Sequence, residues 1–170
     1  MSAKEMDALL RKIAEGDNVA FEQLYIHTKK GVYAFLRSYF NNHADTEDAM
    51  QTVYLKVKRS ISSYQAGTNG RAWLLQIAKN IALSELRKRR NEVSAEDVEI
   101  VVEPTATEGI VTDAMERVLS QEERQIITLH ILWKYKHREI GEMFGCPTGT
   151  ITSKYKRAIK KLQEYLKEVE

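Results

Sequence analysis

Thr150, Ser153, Lys154 and Arg157 recur at steps of three and four along a helix-forming stretch, and Lys160 and Lys161 continue the same side. Hydroxyls and cations spaced in this way suit contact with the phosphates and base edges of a duplex groove. The opposite side is apolar, with Ile151, Tyr155, Ala158, Ile159, Leu162 and Leu166 at helical spacing. Just upstream, His137 to Phe144 reads as a short helix with Ile140 and Phe144 at i and i+4. Gly145 falls where a helix C-cap needs a left-handed residue, and Pro147 follows where a helix cannot continue. Thr148 or Thr150 can cap the second helix. A short helix, a glycine turn and a helix with a hydroxyl-and-cation front is the pattern of a DNA-reading helix-turn-helix. The plainer alternative is a helical hairpin with a solvated basic face.

Two other faces carry polar groups in register. From Arg71 to about Arg90 a helix is expected to bury Trp73, Leu74, Ile77 and Ile81. Its other side presents Gln76, Lys79, Asn80, Leu83, Arg87 and Arg90, a stripe of amides and cations with one apolar wedge. The basic run at 87–90 adds phosphate attraction that falls steeply with salt, although a bare basic run often only decorates a surface. Further upstream, Asp45 is expected to cap a helix whose first turn holds Glu47 and Asp48, where the helix dipole favours anions. Met50, Val53, Tyr54, Val57 and Ile61 form its core side, while Asp48, Gln51, Thr52, Leu55 and Arg59 project away. A leucine between an acid and an amide on an outward face suits docking, although single exposed leucines are common. The polar loop from Ser62 to Gly70, with Tyr64 as its one aromatic, joins the two helices.

The elements that position these residues are all helical in pattern. Residues 3–14 place Met6, Leu9, Leu10 and Ile13 on one side, and Gly16-Asp17 ends that helix. Asp17 or Asn18 can cap a second helix carrying Phe21, Leu24, Tyr25, Val32, Phe35 and Leu36. With two prolines and eight glycines in 170 residues, long helices are favoured over strands. Residues 1–90 carry 15 Lys and Arg against 9 Asp and Glu, residues 91–113 carry 7 acids and no base, and residues 114–170 carry 11 bases against 8 acids. Two basic segments flanking an acidic one suggest two nucleic-acid-facing modules and a linker. Residues 91–112 lack a helical period and contain Pro104 and Gly109, with a short apolar group at Val98, Ile100, Val101 and Val102. Ser120 and Glu123 then form a Ser-x-x-Glu capping box ahead of Ile126, Ile127, Leu129, His130 and Trp133. The expected organisation is all-α: a helical domain at 1–90, an acidic linker at 91–112 and a helix-turn-helix domain at 113–170. The single cysteine, Cys146, excludes an intramolecular disulfide and suits a reducing cytosol. The first residues lack an apolar core of signal-peptide length, so the expectation is a soluble cytoplasmic protein.

Taken together, DTEDAMQTVYLKV, RAWLLQIAKNIALSELRKRR and LSQEERQIITLHILWKYKHREIGEMFGCPTGTITSKYKRAIKKL resemble the conserved regions of the extracytoplasmic-function group of bacterial sigma-70 factors. The resemblance runs from Gly16 to Leu166, in the order of a sigma-2 domain, a linker and a sigma-4 domain. It implies a subunit that docks on core RNA polymerase, recognises promoter DNA and opens it, with an anti-sigma factor as a further partner and no cofactor or metal. Carried over, Asp45, Asp48, Gln51 and Leu55 would grip the polymerase. The loop with Tyr64 would receive the unpaired strand of the −10 element, and Gln76, Lys79, Asn80, Leu83 and Arg87 would face −10 DNA. Thr148, Thr150, Ser153, Lys154 and Arg157 would face the −35 duplex.

The sequence departs from the group at four positions. Ser84 stands where Asp is frequent, and Lys154 where Arg would offer a bidentate fork for guanine. His137 replaces a small hydroxyl residue, and Gly141 replaces alanine at roughly 1 kcal/mol of helix propensity. A helix-turn-helix regulator that binds duplex DNA without polymerase is the competing reading. An enzyme is the most distant one, because His27, His43, His130, His137 and Cys146 lack metal-ligand spacing and no phosphate loop or nucleophile elbow is present.

Overall fold

The computed structural model describes residues 1–93 and 110–169, and the described residues are helical apart from short connections. The chain divides into two compact units, Met1–Glu103 and Pro104–Glu170. The apolar group at 98–102 and most of the expected acidic linker lie outside the described residues.

The first unit holds α1 (Ala3–Ala14), α2 (Asn18–Arg37), α3 (His43–Ser60), a 3-10 turn at Ile61–Ser63 and α4 (Gly70–Val93). Local chemistry sets the helix starts. Ser2 and Glu5 close a capping box on α1, and the Asp17 carboxylate accepts from the backbone N–H groups of Val19 and Ala20 at the start of α2. The cap of α3 differs from expectation. Asn42 is the N-cap and accepts from the Asp45 N–H at 2.8 Å, so Asp45 lies inside the first turn. Asn42 carries both the carbonyl oxygen that caps and an amide that donates to the Asp45 carboxylate, which an aspartate there could not do.

The core of this unit gathers Met6 and Leu10 from α1, Leu24, Val32 and Leu36 from α2, Val53 and Val57 from α3, and Leu74, Ala78 and Ala82 from α4. Tyr54 is buried among them. Its hydroxyl pairs with Thr28 at 2.8 Å, Tyr25 and Phe21 meet its ring edge-on, and burial pushes its acidity well below that of a free phenol. On α4 the buried row is Leu74, Leu75, Ala78 and Ala82, whereas Trp73, Ile77 and Ile81 are half-buried. Two leucines fill the buried row near the start of the helix and two alanines fill it further along, with the half-buried large side chains on its flanks. Across the far end of α4, the Arg89 guanidinium bonds the Asp45 carboxylate and lies 5.6 Å from the Phe40 ring centroid. That bond, more than the one from Asn42, holds the Asp45 carboxyl below the ordinary carboxylate range.

The second unit holds α5 (Ile110–Val118), α6 (Gln121–Ile131), α7 (His137–Phe144) and α8 (Thr148–Val169). The Ser120–Glu123 capping box forms as expected, with bonds of 3.3 and 2.9 Å. Ala114, Leu119, Ile127, Ala158 and Leu162 make one buried cluster, and Ile126, Leu129, Trp133, Tyr135, Ile140 and Ile151 are buried as well. Gly145 adopts φ +63°, the left-handed conformation expected of it. Helix α8 begins at Thr148, and the Pro147 carbonyl accepts from the Thr150 and Ile151 N–H groups, so both threonines lie in the first turn instead of capping it.

Gly141 has a steric reason to be there. A Cβ on it would lie 2.7 Å from the Cys146 carbonyl oxygen, which belongs to the backbone of the turn, and Cys146 N–H donates to the Gly141 carbonyl at 2.9 Å. Gly141→Ala is therefore expected to lower the stability of this unit by about 1–3 kcal/mol, reversing the gain that helix propensity alone predicts. A thermal melt that shows Ala equal or better would contradict the packing argument. For the first unit, a carboxyl pKa depressed on folding contributes stability that is present above its unfolded value and is lost as pH falls through the folded one. Asp45→Asn should thus flatten the acid limb of the stability profile near and below pH about 4, measured by denaturant titration across pH.

Candidate nucleic-acid and docking faces

Helix α8 turns its Ile151/Ala158/Leu162 side inward, which leaves Thr148, Ser153 and Arg157 exposed and Thr150 half-buried. Lys156 and Lys160 are exposed as well. Lys156 was missed from the expected face. At 100° per residue it falls about 40° to the far side of Lys160 from Ser153, next to the outward row, which helical geometry alone could have indicated.

Lys154 does not point freely outward. Its Nζ lies 2.6 and 2.7 Å from the two carboxylate oxygens of Glu122, and Lys161 repeats the arrangement with Glu123 at 2.8 and 2.9 Å. Seven residues is two turns, so both lysines occupy one flank of α8, beside the acidic first turn of α6. The Lys154 side chain is 25% exposed, and its charge is balanced within the unit. The expected cationic front is thus divided into an outward stripe and a flank that secures α8 to α6.

His137 links the two helices of the turn. Thr152 Oγ1 donates to the Thr148 carbonyl at 3.0 Å, which leaves it to accept from His137 Nδ1, also at 3.0 Å. The His137 ring lies 4.5 Å from that of His130 and 5.0 Å from that of Tyr155. Burial first, and His130 second, hold its pKa below the ordinary histidine value. His130 donates from Nδ1 to the Tyr135 carbonyl at 2.8 Å, since a carbonyl can only accept. His130 is half-buried at the boundary of the core.

In the first unit, Gln76, Lys79, Asn80 and Arg87 are exposed along α4 and Leu83 is half-buried among them. The Gln76 amide donates to Asn80 Oδ1 at 2.8 Å, one turn away, which fixes the orientation of both amides. Tyr64 differs from an open aromatic platform. Its hydroxyl donates to Asp7 Oδ1 at 2.7 Å and its ring lies 5.3 Å from that of Trp73. Burial, reinforced by the Asp7 bond, raises its pKa.

On α3, Asp48, Gln51 and Leu55 are exposed, and Leu55 retains 57% of its accessible surface. Asp45 stands apart from them, half-buried with its carboxylate bonded to Arg89 and Asn42. The structure thus brings Asp48, Gln51 and Leu55 onto one open face and ties Asp45 into the fold. Among the described residues, no helix is long and apolar enough to cross a membrane.

Residues 24–92 match the family model for sigma-70 region 2, and residues 117–164 match that for sigma-70 region 4. The chain is 30% identical to the ECF RNA polymerase sigma factor SigK of Mycobacterium ulcerans (strain Agy99), over 95% of this chain and 94% of that one. Identity to SigK of Mycobacterium bovis (strain BCG / Pasteur 1173P2) is 28%, over 96% and 95% of the two chains. The fold is similar to that of the sigma factor RpoE from Bartonella quintana, solved in complex with the anti-sigma factor NepR, with a TM-score of 0.63 and 28% identity over 86% of this chain and 96% of that one. It is similar also to CnrH, solved with the cytosolic domain of CnrY, with a TM-score of 0.64 over 96% and 98% of the chains; at 20% identity that likeness concerns the fold alone. Two sigma-70 regions in order, in a chain matched along nearly its whole length by such relatives, mean that it belongs to the extracytoplasmic-function group of sigma-70 RNA polymerase sigma factors.

Proposed function

We propose that residues 1–90 dock on core RNA polymerase and open the −10 element, and that residues 113–170 address the −35 duplex. The observation that carries this reading is the presence of two separate polar stripes, one on α4 and one on α8, in two different units. A regulator that reads one duplex site needs only the second. Asp48, Gln51 and Leu55 supply the polymerase contact, with Leu55 as the apolar anchor that a desolvated interface favours. Gln76, Lys79, Asn80, Leu83 and Arg87 face −10 DNA, and Thr148, Thr150, Ser153 and Arg157 face the −35 groove, with Lys156 added to them. Lys154 contributes chiefly by holding α8 to α6. Asp45 supports the docking helix from within the fold. The acidic stretch at 91–112 imitates a nucleic-acid backbone along the polymerase's RNA path. The chain works in the cytoplasm, where polymerase is, and an anti-sigma factor holds it in reserve, as NepR is bound to the Bartonella RpoE.

In vitro transcription with core enzyme and a −35/−10 template tests this reading. Transcripts should require both core and this chain, while the chain alone binds duplex DNA weakly. No transcript, combined with no co-elution with core, overturns it in favour of a polymerase-independent regulator.

Two substitutions resolve the surfaces. Leu55→Asp should abolish co-elution with core while changing stability by no more than about 0.5 kcal/mol, as expected of an exposed site. Normal co-elution would remove α3 from the interface. Arg157→Ala should reduce −35-dependent transcription on the order of tenfold, as for loss of a groove-facing arginine. Lys154→Ala should reduce it less and should lower the melting temperature. The opposite ranking would return Lys154 to the DNA face.

A further inference from the structure

Asp7 lies on α1, outside every surface assigned above, yet it is bonded to the loop between α3 and α4. Its Oδ1 accepts from the Tyr64 hydroxyl and from the Gly67 backbone N–H, each at 2.7 Å, across 57 and 60 residues of sequence. The Asp7 side chain is 15% exposed, and its Oδ2 pairs with Arg11 at 2.8 Å. Otherwise the loop bonds largely to itself. The Thr68 N–H and hydroxyl both return to the Gln65 carbonyl, at 3.2 and 2.6 Å. Asn69 Oδ1 accepts from Ala72 N–H at 3.1 Å and so closes the start of α4. These bonds shape the two ends, while the Asp7 carboxylate fastens the middle to the body of the unit.

Residues 65–69 are all exposed, and the Tyr64 ring is engaged with Trp73. The surface open to an unpaired base is therefore the small polar segment after Tyr64, and the shape of that segment depends on its anchor. A loop already held in its receiving shape binds without first losing conformational freedom.

We infer that Asp7 is a positioning residue for promoter opening, fixing the 64–69 loop in the form that receives the unpaired −10 strand. Helix α1 thereby acts on DNA that it does not touch. This rests on the reading of the loop as the strand acceptor. The carboxylate is suited to the task because one oxygen takes both loop donors while the other remains with Arg11. Asparagine would retain the Oδ1 acceptor and lose only the Arg11 pair, and alanine would lose both loop bonds.

The test uses holoenzyme assembled from core polymerase and the full chain, with a promoter mapped from transcript ends after overexpression. The probes are its single-stranded non-template −10 oligonucleotide and a duplex fragment carrying only the −35 element. Asp7→Ala should weaken binding of the single strand by about tenfold, the scale of a lost pair of hydrogen bonds, and leave −35 duplex binding and co-elution with core unchanged. Asp7→Asn should restore most of the single-strand affinity. Tyr64→Phe, which keeps the ring packing and deletes only the hydroxyl, should show a smaller loss of the same kind. Equal losses on both probes, or an undiminished single-strand affinity in Asp7→Ala, would overturn the positioning role while leaving the loop assignment intact. If the wild-type holoenzyme does not prefer the −10 strand to a scrambled one, the loop assignment itself fails, and the inference falls with it.

Discussion

Gly70, Leu74, Ala78 and Ala82 lie at steps of four along α4, and all four are buried. A row spaced in this way forms one ridge of a helix, and with glycine or alanine at three of its four positions it lets neighbouring helices approach closely. The rest of the first unit follows from that seam. Helix α1 reaches the start of α4, with Leu10 and Met6 against Gly70, and Asp45 on α3 meets Arg89 near its other end. With one face committed along the whole length, the amides and cations at 76, 79, 80 and 87 must face outward. The polar stripe is as much a consequence of the seam as of its own residues.

The second unit is governed by a comparable division on α8. One side fills the core, one faces water, and the flank between them carries Lys154 and Lys161 to the carboxylates of Glu122 and Glu123. Glu123 is 8% exposed and also completes the Ser120 capping box. One carboxylate thus starts α6 and holds α8. A charge so placed costs more to strand than to pair, so the two ion pairs matter mainly by fixing the rotation of α8 about its axis. That rotation decides which side chains remain available to DNA.

Features built from neighbouring residues were legible in the sequence. The Ser120 box, the Asp17 cap, the left-handed Gly145 and the buried stripes of α3 and α8 each involve residues within a turn or two of one another, where helical geometry fixes what meets what. Three polar side chains expected on the functional faces proved to be engaged within the fold, and each has its partner far along the chain. Asp45 and Arg89 are 44 residues apart, Lys154 and Glu122 are 32, and Tyr64 and Asp7 are 57. Periodicity assigns a residue to a face but does not say which other helix borders that face. Exposed residues that need no such partner, among them Asp48, Leu55, Asn80, Ser153 and Arg157, remain on the open faces where periodicity put them. The trap at Asp45 was chemical. An acid just before an apolar repeat looks like a cap, but Asn42 three residues earlier both accepts and donates.

Internal pairing also bears on how a small subunit reaches specificity. With Lys154 and Lys161 neutralised inside the unit, the exposed side of α8 carries Arg157, Lys156, Lys160 and a few hydroxyls. Affinity for DNA scales with the phosphates neutralised, so on the proposed reading a face with so few cations binds weakly and loosens readily with salt. The α4 stripe is similarly modest. On the sigma reading, weakness in each is an advantage. Two weak contacts carried on one polymerase act at high effective concentration toward a promoter that presents both elements at the right separation, and a lone −35-like sequence gains almost nothing. Specificity then comes from the joint requirement. A single strongly basic helix would lose it, because its non-specific binding would hold the chain on bulk DNA before polymerase engaged.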